Sequence, residues 1–366
     1  MRVRTTIALA MLVTLAGCAG PDEPPPTPGT EAPSSSTEPT SAAPAGGTAD
    51  APTVAEPTPA LLDWKDSGLE AGTRYVRGQE AEARVADGGA SVEITTGGAP
   101  TVIAAGAGRT ISEVLMSDQW AVVVRQDTAE SASSEVAVVD LATGAQTELA
   151  GPHPASGGSW ALTGGDLYYP TYGDDRAYCL ATSALADSNG EDGWCAPARS
   201  GFSGLTAGDH GVGLMTFDDA RPVACRTVSV LDGSGLPQPV QGPADCLAWD
   251  VAATADGALW SEVPKRRRQE EAHVYASAGG TFFDLGPGTT GTGLPCGDSV
   301  FFVRDPQGSD EPARLMRWTP DHTLEIAYES SSVGNAFLGE PACGGNVLTL
   351  SSFGEDGDEL VWATVS

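Results

Sequence analysis

Basic residues are scarce in this sequence. Of its 366 residues only 19 are Lys or Arg, against 49 Asp and Glu, so the formal net charge is −30 at pH 7. A chain with that balance does not hold DNA or RNA by neutralising phosphates, which excludes nucleic acid as a partner. Long apolar runs are also lacking, and nothing beyond the N-terminus reaches the roughly 18 residues of a membrane-spanning helix. Because hydrophobic residues still make up 40% of the chain, it is not wholly disordered.

The N-terminus has the form of an export signal. Arg2 and Arg4 precede an apolar run over residues 7–15 that is too short to span a bilayer. The run ends in Leu-Ala-Gly-Cys at residues 15–18, which resembles the lipobox of bacterial lipoproteins. The resemblance implies a signal peptide over residues 1–17 and a diacylglyceryl thioether on Cys18, with palmitate-type chains anchoring the protein on the outer face of the cell membrane. An ordinary secretory signal with a chance cysteine is the alternative interpretation.

Residues 18–60 are predicted to be a disordered tether. The stretch from residue 19 to residue 60 holds 11 of the 27 prolines, with much Ser, Thr and Ala and no Lys or Arg. Such a composition cannot bury a core. The Ala- and Gly-rich composition with only two lysines suggests a GC-rich genome, so the whole resembles an actinobacterial secreted lipoprotein.

Residues 61–366 form the predicted globular domain, and its sequence repeats. A tight Gly/Asp turn followed by a β-rich apolar run recurs at intervals of 42–47 residues, with runs starting at Trp120, Leu167, Val212, Ala258, Val300 and Val347. A period in the forties with about four short strands is typical of β-propeller blades. We therefore predict an all-β fold, a seven-bladed propeller, with six blades as the alternative. The last repeat lacks an outer strand, and we expect an N-terminal segment to complete it.

One repeat can be assigned in full, with strands at residues 111–117, 120–127, 135–141 and 146–150. Its last hairpin has the pattern Asp-x-x-Thr-Gly, in which Asp140 caps the turn and Gly144 supplies the positive φ. This turn resembles those of quinoprotein and surface-layer propellers. The blade signatures of quinoproteins and of WD40 repeats are absent from the sequence, apart from a single Trp249-Asp250 dipeptide.

Six cysteines follow Cys18, an even number in an exported chain, which predicts three disulfides. Fifteen connectivities exist, and the repeat register favours sequential pairing. The pairs are Cys179 with Cys195, Cys225 with Cys246, and Cys296 with Cys343. The last pair would join adjacent blades, and its positions have to approach to the 4.4–6.8 Å Cα spacing of a disulfide. No Cys/His spacing indicates a metal site.

Catalytic signatures are not found: there are only four histidines, no metal-binding His pattern and no Gly-x-Ser-x-Gly elbow. We therefore assign no catalytic residue and no cofactor. Two oxygen-rich segments, residues 187–193 and 354–359, allow Ca²⁺, but solvated turns are the preferred interpretation.

The charge is patterned by the repeats, because the loop after the second strand of each repeat is acidic. In a propeller these loops emerge on one face of the disc. The residues of this candidate acidic face are Asp127, Asp174, Asp175, Asp218, Asp219, Asp305 and Asp310. They are interpreted either as solvated loops or as a recognition surface for a cationic partner. A basic run over residues 265–268 either contacts an anionic polymer or pairs with the neighbouring glutamates.

Together these patterns predict a membrane-anchored, extracytoplasmic propeller that binds protein or cell-envelope ligands, most simply as a monomer. The alternative is an extracytoplasmic hydrolase or lyase with its site in the propeller funnel.

Overall fold

Extended strands account for just over half of the residues that the structure describes, as the apolar runs predict. The computed structural model describes residues 51–187, 189–219, 224–265, 268 and 271–365, and the structural statements below concern these residues. Two short 3₁₀ helices, Asp87–Gly89 and Asp174–Arg176, lie between strands. No helix in this part of the chain is long and apolar enough to cross a bilayer. Cys18 and the predicted tether up to residue 50 lie outside it.

The strands are numbered in chain order. The first eleven are β1 Thr53–Val54, β2 Thr58–Pro59, β3 Lys65–Asp66, β4 Tyr75–Arg77, β5 Glu82–Val85, β6 Ser91–Thr95, β7 Thr101–Ala104, β8 Arg109–Met116, β9 Trp120–Asp127, β10 Glu135–Asp140 and β11 Gln146–Glu148. The next ten are β12 Ala161–Thr163, β13 Asp166–Tyr172, β14 Tyr178–Ala184, β15 Asn189–Cys195, β16 Ser200–Gly208, β17 Gly211–Asp218, β18 Cys225–Leu231, β19 Pro237–Pro239, β20 Ala248–Thr254 and β21 Gly257–Glu262. The last ten are β22 His273–Ala278, β23 Thr281–Pro287, β24 Leu294–Cys296, β25 Ser299–Arg304, β26 Pro312–Trp318, β27 Leu324–Val333, β28 Phe337–Leu338, β29 Ala342–Gly344, β30 Val347–Phe353 and β31 Glu359–Thr364.

Antiparallel meanders of four strands are the unit of the fold. Five of them form separate sheets: β4 to β7, β12 to β15, β16 to β19, β20 to β23 with β1 added, and β24 to β27 with β2 added. The remaining strands form one nine-stranded sheet, which joins the meander β8 to β11 to a meander of β29, β30, β31 and β3, with β28 paired to β30. The all-β propeller prediction is confirmed. The blade count differs from the predicted seven, or alternatively six, because only five meanders stand alone as separate blades.

The nine-stranded sheet forms because β8 and β29, each the first strand of its meander, approach closely enough to pair. Gly344 and Met116 form a single parallel bridge between them. A Cβ at Gly344 would lie 2.3 Å from the carbonyl oxygen of Arg77, so any larger residue would push the neighbouring chain away. The Gly-Gly pair at residues 344–345 is visible in the sequence. The sequence does not indicate that two meanders join there.

Packing between meanders explains why the second strands are continuous apolar runs. In β9, Ala121 and Val123 are fully buried against the preceding meander, in a cluster with Val92 and Ile94. The alternate residues Val122 and Val124 are buried in a cluster with residues of β13 in the following meander. A strand covered on both faces needs apolar residues at every position rather than at every second one.

The repeat assigned from sequence is reproduced closely. Its predicted second strand, 120–127, is β9 residue for residue, and its other strands differ by one to two residues at their ends. The Asp140 carboxylate accepts hydrogen bonds from the backbone N–H groups of Ala142 and Thr143, both at 2.9 Å. Gly144 has a φ of 71°, the conformation that the turn requires.

Residues 53–66, which we call the belt, run along three meanders. Strand β1 pairs in parallel with β23, and β2 pairs in parallel with β27. Strand β3 pairs antiparallel with β31 and completes the last meander, as predicted. Strands β1 and β2 lie within residues 51–60, which the composition had assigned to the tether. Composition missed this, because backbone pairing at a sheet edge does not require apolar side chains.

Three disulfides are present, in the sequential pairing. Cys179–Cys195 joins neighbouring strands of one meander, and Cys225–Cys246 closes a loop of 21 residues. Cys296–Cys343 joins β24 to β29 in different meanders, with a Cα–Cα distance of 5.8 Å. Structural disulfides are typical of oxidising compartments outside the cytoplasm, consistent with an extracytoplasmic protein.

Candidate functional site

The first strands of the meanders enclose a cavity of about 960 Å³. Its wall includes residues of β4, β8, β12, β16, β20, β24 and β29. A cavity formed where several blades converge is the usual position of a ligand site in such a fold. Neither its size nor its lining was predicted from the sequence.

The charge in this cavity is strongly unbalanced. Its ionisable acids are Glu113, Asp118, Asp209, Asp250 and Glu340, and the single basic residue among its described lining is Arg74. The Arg74 guanidinium donates to the backbone carbonyls of Ile111 and Ser112, both at 2.7 Å. Two of its nitrogens are thus committed to carbonyl oxygens of β8, and its positive charge remains. With five acids against this one guanidinium, the cavity is predominantly negative.

Asp250 is the most enclosed of these acids. Its Oδ2 accepts hydrogen bonds from the backbone N–H of Gly291 at 2.6 Å and from the Ser261 hydroxyl at 3.1 Å. Burial raises the pKa of Asp250 from 3.8 to about 6, although these two hydrogen bonds act in the opposite direction, and the charge of Glu340 raises it further. A carboxyl group in this range is partly protonated in mildly acidic surroundings.

Glu113 and Glu340 extend into the same enclosed space. Each has a solvent-accessible side chain, but the water that it meets is that of the cavity. Burial within the ring raises the pKa of both groups. For Glu113 the negative charge of Glu340 raises the pKa further, whereas the positive charge of Arg74 lowers it. The three acids therefore interact electrostatically, with Glu340 influencing both of the others.

One part of the cavity wall is apolar. Phe353, which lines the cavity, stacks on Phe337 with ring centroids 4.7 Å apart and an interplanar angle of 14°. Phe337 is 54% exposed, so this aromatic pair reaches the outer surface. A ligand in the cavity thus meets carboxylates and an aromatic surface in one space.

The predicted acidic face is distributed as the repeat register indicated. Each of its residues lies at or just after the end of the second strand of a meander, or just before the third strand begins. The Asp127 carboxylate accepts hydrogen bonds from Ser131 and Ala132 within its own loop, which lowers its pKa. Asp305 accepts a hydrogen bond from the Thr289 hydroxyl at 2.7 Å. Two of these acids thus have local partners, and the structure does not bring the set together into one pocket.

Other predicted candidates have local roles. Within the basic run, Lys265 and Arg268 both pair with Glu271, which supports the local-pairing interpretation for these two residues. The Trp64 ring packs edge-on against Tyr328, and the Trp194 ring packs against Phe202. In the described chain no group of three His, Cys, Asp or Glu side chains is arranged to hold a metal ion. Residues 189–193 of the oxygen-rich segment 187–193 belong to strand β15 and not to a turn.

Sequence reasoning missed all five cavity acids as a site, although weak signals existed. Asp118 and Asp209 stand in the repeated Gly/Asp turns, and Asp250 belongs to the isolated Trp-Asp dipeptide. Glu113 directly precedes the apolar residues 114–116 at the end of strand β8. These acids come together only when the meanders close into a ring. No local sequence pattern indicates which residues will then meet.

Comparison with known proteins supports the fold. No family model matches the chain, and no curated protein matches it. Among solved structures, the β-propeller domain of the Trilobed protease from Pyrococcus furiosus is 13% identical, with a TM-score of 0.55 over 80% of this chain and 96% of that one. Prolyl endopeptidase is 14% identical, with a TM-score of 0.54 over 80% of this chain and 47% of that one.

The tricorn protease is 10% identical, with a TM-score of 0.52 over 84% of this chain and 36% of that one. The chain thus spans about half of the prolyl endopeptidase chain and about a third of the tricorn chain. At these identities the likeness shows a β-propeller fold and nothing about activity.

Proposed function

We propose that this protein is a membrane-anchored, extracytoplasmic β-propeller that binds a positively charged ligand in its central cavity. The observation that supports it is a cavity of about 960 Å³ lined by five carboxyl groups and a single guanidinium. An amine or guanidinium in that space gains charge-assisted hydrogen bonds in surroundings less polar than bulk water. The Phe337–Phe353 pair adds a surface for the hydrocarbon part of such a ligand or for a cation–π contact.

The acidic face contributes to this proposal at longer range. The carboxylates of this face, which we call the rim, give a negative potential that attracts cationic ligands and raises their association rate. The rim carboxylates need not touch the bound ligand to do this. The sequence-based hypothesis of a recognition surface for a cationic partner thus becomes a two-part hypothesis, in which the rim attracts and the cavity binds.

Calorimetric titration tests this function with defined amine probes, spermine and a short oligolysine. We expect saturable binding with one site per ring, and loss of at least tenfold in affinity when Glu113→Gln and Glu340→Gln are combined. Asp174→Asn with Asp175→Asn, on the rim, is the matched control and keeps the affinity within about threefold at physiological salt. Thermal unfolding of both variants separates a lost site from a lost fold. Absence of binding by either probe, or equal affinity in the cavity variant, contradicts the proposal.

The anchoring part of the proposal rests on the lipobox resemblance at residues 15–18. A Cys18→Ala variant should fail to incorporate an alkyne-tagged palmitate and should appear in the culture medium. Retention of the variant in the membrane fraction would contradict lipidation as the anchor. The three disulfides fit this location, since they need an oxidising compartment.

An enzyme that acts within the same cavity is the second candidate function. The observation that favours it is Asp250, whose pKa of about 6 suits a group that both donates and accepts a proton. No histidine occurs in the described lining, so carboxyl groups are the candidates for proton transfer near neutral pH. Turnover of a glycoside or lactone panel that is abolished by Asp250→Asn would favour this candidate over simple binding.

A further inference from the structure

The belt and the cavity wall are adjacent segments of the chain. The belt ends at Asp66, and only the five residues 67–71 separate it from Gly72, the first lining residue of the cavity. The wall then continues through Thr73, Arg74, Tyr75 and Val76. Movement at the end of the belt therefore reaches the cavity along a short covalent path.

The belt is fixed at a few points. Its most extensive anchor is Trp64, whose Nε1–H donates to the Ala327 carbonyl at 2.8 Å and whose ring meets Tyr328 edge-on at 5.3 Å. Backbone N–H groups of Ala55 and Leu62 donate to carbonyls of Asp284 and Ala327. By contrast, all residues of β1, β2 and β3 are exposed, and each strand has only two residues. Short, exposed strands of this kind open at low free energy unless their anchors hold them.

The wall segment is tied to one of the three meanders with which the belt pairs. The N–H of Gly72 donates to the Ser351 hydroxyl at 3.0 Å, and the Thr349 hydroxyl donates to the Tyr75 carbonyl at 3.1 Å. Both partners lie on β30, the neighbour of β31, which pairs with β3. Ser67 N–H also donates to the carbonyl of Leu360, a residue of β31 that lines the cavity. Belt and wall therefore share supports as well as a covalent connection.

We infer that the belt is a strap that holds residues 72–76 in place, so that release of the belt loosens one side of the cavity. The coupling is mechanical and does not depend on the nature of the ligand or on the proposed function. Because coupling between two sites is reciprocal, loosening the wall also weakens the hold of the belt. A partner that detaches the belt would thereby change access to the cavity.

Hydrogen–deuterium exchange of the full chain tests this inference with Trp64→Ala. We expect exchange at residues 53–67 and at residues 72–76 to rise together, by about tenfold or more, because the anchor is removed. Val54→Ala is the matched control, since the Val54 side chain is 64% exposed and Ala keeps the backbone pairing of β1 with β23. Faster exchange in the belt with unchanged exchange at residues 72–76 overturns the inference.

Two further variants keep the test decisive. If Trp64→Ala does not fold, Trp64→Phe retains a ring against Tyr328 and removes only the hydrogen bond to Ala327, and it should show the same joint rise at smaller amplitude. Thr349→Val removes the hydroxyl that holds Tyr75 and tests the reverse direction. We expect faster exchange at residues 62–67 in this variant, because Thr349 pairs with Trp362 on β31, which in turn pairs with Lys65 of the belt. An unchanged belt would contradict reciprocal coupling.

Discussion

The carboxylates of the cavity and those of the rim are chemically alike but occupy opposite environments. On the rim, Asp127 accepts three hydrogen bonds from its own loop, and its pKa is lowered. In the cavity, burial raises the pKa of Glu113, Asp250 and Glu340. Asp250 shows that burial dominates, because its pKa is raised even though it accepts two hydrogen bonds.

The number of acidic residues and their placement in the fold are therefore two separate properties. The acidity of the sequence is largely a matter of exposed loops, where water and local donors satisfy each charge. A smaller set is held together by the ring, where the charges have few donors and repel one another. A cation that binds among the cavity acids relieves their mutual repulsion. A cation that binds to the loop acids only replaces water. The two regions should therefore respond differently to the same substitution.

The largest expected contrast comes from charge reversal. Glu340→Lys places an ammonium among Glu113 and Asp250, so it should compete with the ligand for both carboxylates and reduce spermine affinity by about 100-fold or more. Asp310→Lys makes the same change on the rim and should reduce the affinity by less than about threefold. Calorimetry under identical salt gives both values. Equal losses in the two variants would mean that the cavity has no special role.

Asp250→Asn should increase stability above pH 6. The pKa of Asp250 is raised in the folded state. Between about pH 4 and pH 6 the native protein therefore keeps a proton that the unfolded chain has already released. The stability associated with this group is therefore present below pH 4 and is lost as the pH rises through 6. The Asn variant removes that loss, about 3 kcal/mol at neutral pH for a pKa raised from 3.8 to about 6, and matches the parent below pH 4. Denaturant unfolding at several pH values measures it, and a variant less stable than the parent at pH 7 would contradict the assignment.

Asp127→Asn should have the opposite sign and a smaller effect. The pKa of Asp127 is lowered in the folded state, so its contribution is present above the ordinary pKa of 3.8 and disappears as the pH falls through the folded value. The variant should therefore be slightly less stable than the parent at pH 7 and indistinguishable from it in strong acid. The same unfolding series provides the comparison. A gain in stability at neutral pH would show that the rim acids repel one another as the cavity acids do.

The smallest effect is expected on association kinetics. Asp174→Asn with Asp175→Asn should slow the association of spermine by about two- to threefold at low salt and leave dissociation unchanged, because the rim acts at long range. The difference should vanish near 0.5 M salt, where screening is short-ranged. Stopped-flow measurements at two ionic strengths test this. A change in the dissociation rate would place these residues in contact with the ligand.

Much of the fold was predictable, because strand periodicity and turn chemistry are local. Strand β9 was placed to the residue, and the Asp140 turn forms the hydrogen bonds expected of it. The pairing of the cysteines followed from the repeat register. The belt was not predictable, because β1 and β2 add to sheet edges through backbone groups that every residue carries. The pairing of Gly344 with Met116, which joins two meanders, likewise depends on how closely separate first strands approach.

By itself the sequence determined the class of fold, the closure of the last meander by an N-terminal strand, the disulfide framework and the acidity of the loops, since each follows from residue type at fixed spacing. Only the tertiary structure decided which acids face one another. Glu113, Asp250 and Glu340 are separated by 90 residues or more along the chain, and they meet because ring closure brings their strands to a common axis. Burial then raises their pKa, a property of the enclosed space and not of any one segment.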